Sequence, residues 1–96
     1  MAITVSVRNG QLVIRENGST RHVLGSHIVS ASTDGEIIAT VDDRGSVHEY
    51  TKTGSTRRVF GSRATSVNVV SGTIVVTHSD GTIREYVNGC CRRSYR

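Results

Sequence analysis

The sequence predicts an all-β chain: a propeller-like antiparallel β-repeat with a period of about 36 residues and about ten short strands, completed by oligomerisation. Three observations carry this. Val, Ile and Thr make up 32 of the 96 residues, and such side chains are stiff at the first torsion and suit a pleated strand. There is no Pro to interrupt a backbone ladder, while ten Gly punctuate the chain at near-regular spacing. Finally, the chain repeats itself. Ser19-Thr20-Arg21 and Ser55-Thr56-Arg57 lie 36 residues apart, as do Gly25 and Gly61, and Gly45 and Gly81.

The turns come first. Asn9-Gly10, Asn17-Gly18, Asp34-Gly35, Asp80-Gly81 and Asn88-Gly89 supply the positive backbone angles of tight hairpins. Gly25, Arg44-Gly45, Thr53-Gly54, Gly61 and Ser71-Gly72 fill the remaining breaks. Between them lie ten segments rich in β-branched residues, near 3–8, 11–16, 19–24, 27–33, 36–42, 46–52, 55–60, 64–70, 73–79 and 82–87. "ITVSV" alternates as a half-buried strand does, whereas "EIIATV" and "TIVVT" are more evenly apolar, as strands covered on both faces would be.

With the segments of one blade labelled a to d, the chain reads b-c-d (3–24), a-b-c-d (27–60), a-b-c (64–87). The domain spans 1–89 as about two and a half blades, followed by a basic C-terminal tail at 90–96. A blade cannot bury both faces alone, so homo-oligomers in which copies complete one another are expected. A compact pseudo-threefold barrel or trefoil is the competing monomeric arrangement.

"SVHEYTKTGSTRRVFGS" resembles the NHL-type propeller repeat, in which a strand ending in an aromatic residue meets a Gly turn and then a basic strand closing on Phe-Gly. The resemblance covers about two copies. It implies blade architecture and carries no site residues.

Composition narrows the function classes. No apolar run approaches the roughly 18 residues of a membrane span, and the N-terminus lacks the pattern of a signal peptide. A soluble, cytoplasmic protein is expected. Eleven Arg stand against one Lys within a net charge of +4, and the charge is uneven. Residues 26–54 carry five acidic and two basic side chains, while 55–96 carry seven Arg against Asp80 and Glu85. Arginine's planar fork suits carboxylates and phosphates.

Candidate binding residues follow from the repeats. His48, Glu49 and Tyr50 match Arg84, Glu85 and Tyr86. The matched set reads either as a ligand-binding ring or as cross-strand ion pairs with tyrosines packed between sheets. Arg21, Arg57 and Arg58 fall on the outer strands, as a phosphate-binding stripe or as charge that blocks misplaced edge pairing. Arg63, together with Arg92 and Arg93 near the C-terminus, adds positive charge. No GxSxG, HExxH, CxxC or phosphate loop appears, so neither enzymatic activity nor a cofactor is expected. Cys90 and Cys91, being adjacent, cannot close a metal site unaided, and the four His lack ligand spacing, so no metal is expected either. The expected function is a non-enzymatic module that presents repeated loops to a protein partner. An RNA- or DNA-binding ring and a carbohydrate-binding propeller are the alternatives.

Overall fold

The computed structural model describes residues 3–96. Eleven strands succeed one another without a helix between them: β1 (Ile3–Arg8), β2 (Gln11–Glu16), β3 (Ser19–Leu24), β4 (Ile28–Thr33), β5 (Ile37–Asp42), β6 (Val47–Thr51), β7 (Thr56–Phe60), β8 (Ala64–Val70), β9 (Thr73–His78), β10 (Ile83–Val87) and β11 (Cys90–Tyr95). They form three antiparallel sheets, ordered β1-β2-β3, β4-β5-β6-β7 and β8-β9-β10-β11. Each strand pairs with its neighbour in sequence, as short hairpin turns dictate.

The register shows that the sheets are copies of one blade. Glu49 lies opposite Arg58 and Tyr50 opposite Thr56, with a bulge between the two pairs. Glu85 lies opposite Arg93 and Tyr86 opposite Cys91, with the bulge at the same place. Ile14 opposite His22, and Arg15 opposite Thr20, repeat it in the first sheet. One arginine occupies each bulge: Arg21, Arg57 and Arg92.

Two expectations are corrected by these pairings. Residues 90–96 are not a tail outside the repeat, because β11 runs antiparallel to β10 as the fourth strand of the third blade. Among the described residues the third copy therefore holds all four strands, and the first holds strands b, c and d. The physical reason is backbone demand. The outer edge of β10 needs a partner, and "CCRRSY" meets that need although none of its residues is a strand-forming aliphatic.

The blades pack face to face, and each joint has its own core. Ile3, Leu12 and Ile14 of the first blade meet Ile28, Ile38 and Tyr50 of the second. Ala39, Val41 and Val47 of the second meet Ala64, Val67, Val69, Ile74, Val76 and Tyr86 of the third. This explains the even apolarity of "EIIATV" but corrects the expectation for "TIVVT": β9 lies in one joint only, and its burial alternates, with Ile74 and Val76 buried and Thr73, Val75 and Thr77 half-buried. β5 serves both joints, so Ile38, Ala39, Thr40 and Val41 are all buried. β1 serves one, so Thr4 and Ser6 face solvent.

Backbone hydrogen bonds lock the blades in step. Ile28 N donates to Gly10 O at 2.9 Å, and Ala64 N repeats the bond to Gly45 O at 3.0 Å. Gly45 is held at φ 87°, and a Cβ there would lie 2.6 Å from Arg63 N, so only glycine allows the approach. Side chains on β4 add a second lock: Val67 N donates to Ser30 Oγ (3.3 Å) and Val69 N to Ser32 Oγ (3.0 Å). Asp34 completes it, accepting from Gly72 N at 2.6 Å.

Candidate functional site

Both joints place the same two loops side by side. Gly25-Ser26-His27 and Gly61-Ser62-Arg63 lead from one blade into the next, and His27 (φ 57°) and Arg63 (φ 55°) adopt the left-handed conformation there. Their carbonyls accept from Asp43 N and Ser79 N, each at 2.8 Å. Each loop is thus clamped to the turn between strands b and c of its own blade, and a cleft opens between them.

The first cleft, of about 340 Å³, is lined by His27, Asp42, Asp43, Arg44, His48 and Tyr50, among others. His48 Nε2 lies 3.3 Å from Asp42 Oδ2, and His27 Nδ1 lies 3.5 Å from Asp43 Oδ2. Partial burial pushes the Asp42 carboxyl up, but bonds from Ser46 N, the His48 ring and Arg44 N together hold it below its ordinary 3.8. The second cleft, of about 280 Å³, is lined by Ser62, Arg63, His78, Asp80, Thr82 and Arg84. His78 is buried, with Nδ1 against Ser62 O at 2.8 Å. At equivalent positions His27 becomes Arg63, Asp42 becomes His78, Arg44 becomes Asp80 and His48 becomes Arg84. The frame is shared between blades while the charges are rearranged.

Of the residues singled out in the sequence, His48, Tyr50, Arg63 and Arg84 line these clefts. The others do not. Glu49 is buried in the second joint, 1% exposed, with Arg57 and Arg58 each 3.5 Å from its carboxylate. Tyr86 packs beneath Phe60, ring centroids 4.6 Å apart. These positions are those of a joint, and the ion-pair and packing account fits them. Arg21 sits on the outer strand 3.6 Å from Glu16. The bulge and its charge together blunt each outer edge.

Glu85 and Arg93 occupy the outer face of the third blade, where Glu85 accepts from Tyr95 OH at 2.7 Å and Arg93 lies over the Tyr95 ring at 5.9 Å. Arg92 is exposed on β11. Cys90 and Cys91 are exposed free thiols on the same strand. Among the described residues, no three His, Cys, Asp or Glu side chains gather as metal ligands.

Sequence reasoning missed the cleft residues His27, Asp42, Asp43, His78 and Asp80. The signal available was "GSH" and "GSR", 36 residues apart, each one step before a strand that must abut the previous blade.

The model of a family described as Helicobacter pylori IceA2 protein matches residues 1–60, which hold the first two blades. No curated protein matches the chain. Among solved structures, it is similar to the crystal structure of BBS1N in complex with ARL6DN, soaked with mercury. The TM-score is 0.71 at 21% identity, over 92% of this chain and 33% of that one. The chain thus spans about a third of that neighbour's length, and the likeness is one of fold: three antiparallel sheets set as in a β-propeller.

Proposed function

The chain belongs to the IceA2 family, and from that premise we propose that it is a non-enzymatic cytoplasmic binding module whose turn clefts receive a protein partner, with copies assembling through their end blades. The observation that carries the binding half is the pair of clefts. One backbone frame, held by the same hydrogen bonds at both joints, presents His27, Asp42 and Arg44 in one blade and Arg63, His78 and Asp80 in the next. Varied side chains on a rigid repeated frame are what a recognition surface requires. The aromatic-Gly-basic order of the blade keeps its kinship to the NHL repeat as part of this reading.

Assembly is supported by the outer face of the third blade. Ile83, Glu85, Arg93 and Tyr95 stand there in the register positions of Val47, Glu49, Arg58 and Phe60, which a following blade covers. The opposite end of the chain presents Arg8 and Arg15 around a shallow cleft of about 410 Å³. Arg15 stands in the position of Tyr50 and Tyr86, so a second copy would bring a guanidinium to Glu85 and the Tyr95 ring.

Two measurements test the proposal. Light scattering should return a multiple of the 10.4 kDa chain; a monomer at all concentrations overturns the assembly half. A partner bound by the wild-type chain should be lost on R63E/R84E or R44E, with the fold intact. Retention by both variants removes the clefts from the reading. Salt-sensitive binding of RNA or duplex DNA, weakened by removing Arg21, Arg57 and Arg92, would favour the nucleic-acid alternative instead.

A further inference from the structure

The two clefts share a frame but differ in how their charges are paired. In the first, each histidine lies beside a carboxylate of the same cleft: His48 Nε2 is 3.3 Å from Asp42 Oδ2, and His27 Nδ1 is 3.5 Å from Asp43 Oδ2. At the positions 36 residues further on, all four side chains change together. His27 and His48 become Arg63 and Arg84, while Asp42 and Asp43 become His78 and Ser79. The backbone confirms the match, since Asp43 N donates to His27 O as Ser79 N does to Arg63 O.

Both bases thus become permanent cations where both carboxylates are lost. Among the described residues, neither Arg63 nor Arg84 has a carboxylate partner. Asp80, the one carboxylate lining the second cleft, is engaged elsewhere. Its Oδ1 accepts from Thr82 N at 2.9 Å, and its Oδ2 lies 3.8 Å from Arg96 Nη2. His78 does not replace what is lost. It is 7% exposed, with Nδ1 against Ser62 O at 2.8 Å. A carbonyl only accepts, so Nδ1 carries the hydrogen and Nε2 is left as an acceptor. That Nε2 is buried and has no partner among the described residues. The second cleft therefore lacks negative charge for two guanidinium groups and a donor for one imidazole nitrogen.

We propose that the second cleft binds a phosphomonoester group of the protein partner, on a phosphorylated serine, threonine or tyrosine, between the Arg63 and Arg84 guanidinium groups. The inference rests on the reading of the clefts as a binding surface and names what one of them takes. A phosphomonoester answers both deficits. It carries a charge of about −1.5 to −2 at neutral pH, and its second proton leaves near about pH 6, so its hydroxyl form can donate to Nε2. A carboxylate at neutral pH brings one charge and no proton, and so does each phosphodiester of a nucleic acid.

Inorganic phosphate, a capped phosphoserine tripeptide, dimethyl phosphate and acetate are the probes, each titrated into the isotopically labelled chain. Phosphate and the phosphopeptide should shift the side-chain N–H signals of Arg63 and Arg84 and the ring signals of His78, saturating at millimolar concentration. Dimethyl phosphate and acetate should bind at least about tenfold more weakly, having lost a charge-assisted bond. The variant R63H/H78D/S79D/R84H, which writes the pairs of the first cleft into the second, should lose phosphate binding. R63Q/R84Q should lose it too, with the backbone amide spectrum otherwise unchanged, and serves where the fourfold variant does not fold. The proposal is overturned by no shift at millimolar phosphate, by shifts confined elsewhere, or by binding retained in R63Q/R84Q. Equal binding of the diester or of acetate also overturns it, as does binding of free phosphate without binding of the phosphopeptide. None of these outcomes touches the wider reading of the clefts, which fails only if a partner stays bound to both R63E/R84E and R44E.

Discussion

Arg58 meets Glu49 directly across the β6–β7 ladder, 3.5 Å apart, at a position where the next blade covers the carboxylate. That separation is long for a charge-assisted hydrogen bond, and Arg57 reaches the other carboxylate oxygen at 3.5 Å. In the first blade the same two positions hold Ile14 and His22, with no charge pair.

Arg58→Ala leaves the buried Glu49 carboxylate with Arg57 as its remaining cation. It should therefore destabilise the fold measurably in chemical denaturation, but by less than the roughly 3 kcal/mol of a fully orphaned buried charge. The double variant E49I/R58H, which copies the first blade's pair into the second, should recover most of that loss. If the double variant is as unstable as the single, the ion pair does more than neutralise itself.

Gly45 and Gly81 share a positive φ, 87° and 89°, but only Gly45 abuts another blade. Gly81→Ala should cost about 1 kcal/mol, the penalty of the left-handed conformation. Gly45→Ala meets Arg63 N as well and should cost clearly more, with the loss of amide-exchange protection concentrated in β8 and β9. Equal costs would mean that the joint can spread without penalty.

Tyr86 fills the second joint beneath Phe60. Tyr86→Ala should cost about 3 kcal/mol or more, as truncating a buried aromatic does, while Tyr95→Ala on the uncovered third blade should cost far less in the isolated chain. A large effect at Tyr95 that appears only at high concentration would report assembly through that face.

Acid should loosen the lock between the second and third blades. Burial pushes the Asp34 carboxyl up, yet the N–H groups of Ile37, Glu36 and Gly72 outweigh it and hold it below 3.8. A group whose folded pKa is depressed stabilises above its unfolded pKa, and that contribution fades as pH falls through the folded one. Stability should thus decline below about pH 4, and Asp34→Asn should lower stability at neutral pH while flattening this acid limb. An unchanged acid limb in Asp34→Asn would place the sensitivity at Asp42 or Asp80, which are depressed as well.

Ten of the eleven strands and the spacing of the blades are legible in the sequence because turns and β-branched segments leave local marks. β11 is not. "GCCRRSY" shares with "GSTRRVF" only the glycine, two arginines and an aromatic, and it lies 35 rather than 36 residues on. What identifies it is the unpaired edge of β10, which is a property of the sheet and not of the segment. The clefts are hidden for a related reason. His27 and Arg63, or Asp42 and His78, have little chemistry in common, and their equivalence comes from the backbone bonds that clamp the loops. Glu49 and Tyr50 stand out for the opposite reason: recurrence marks what a joint needs.

The likeness of the two joints has an evolutionary corollary. Because each is closed by the same pairs of bonds, from residues 28 and 64 to glycines 10 and 45, duplicating one repeat would insert a blade whose two faces already fit their neighbours. Such a chain can lengthen by whole units without renegotiating its core, and each added unit brings one more cleft whose side chains are free to diverge.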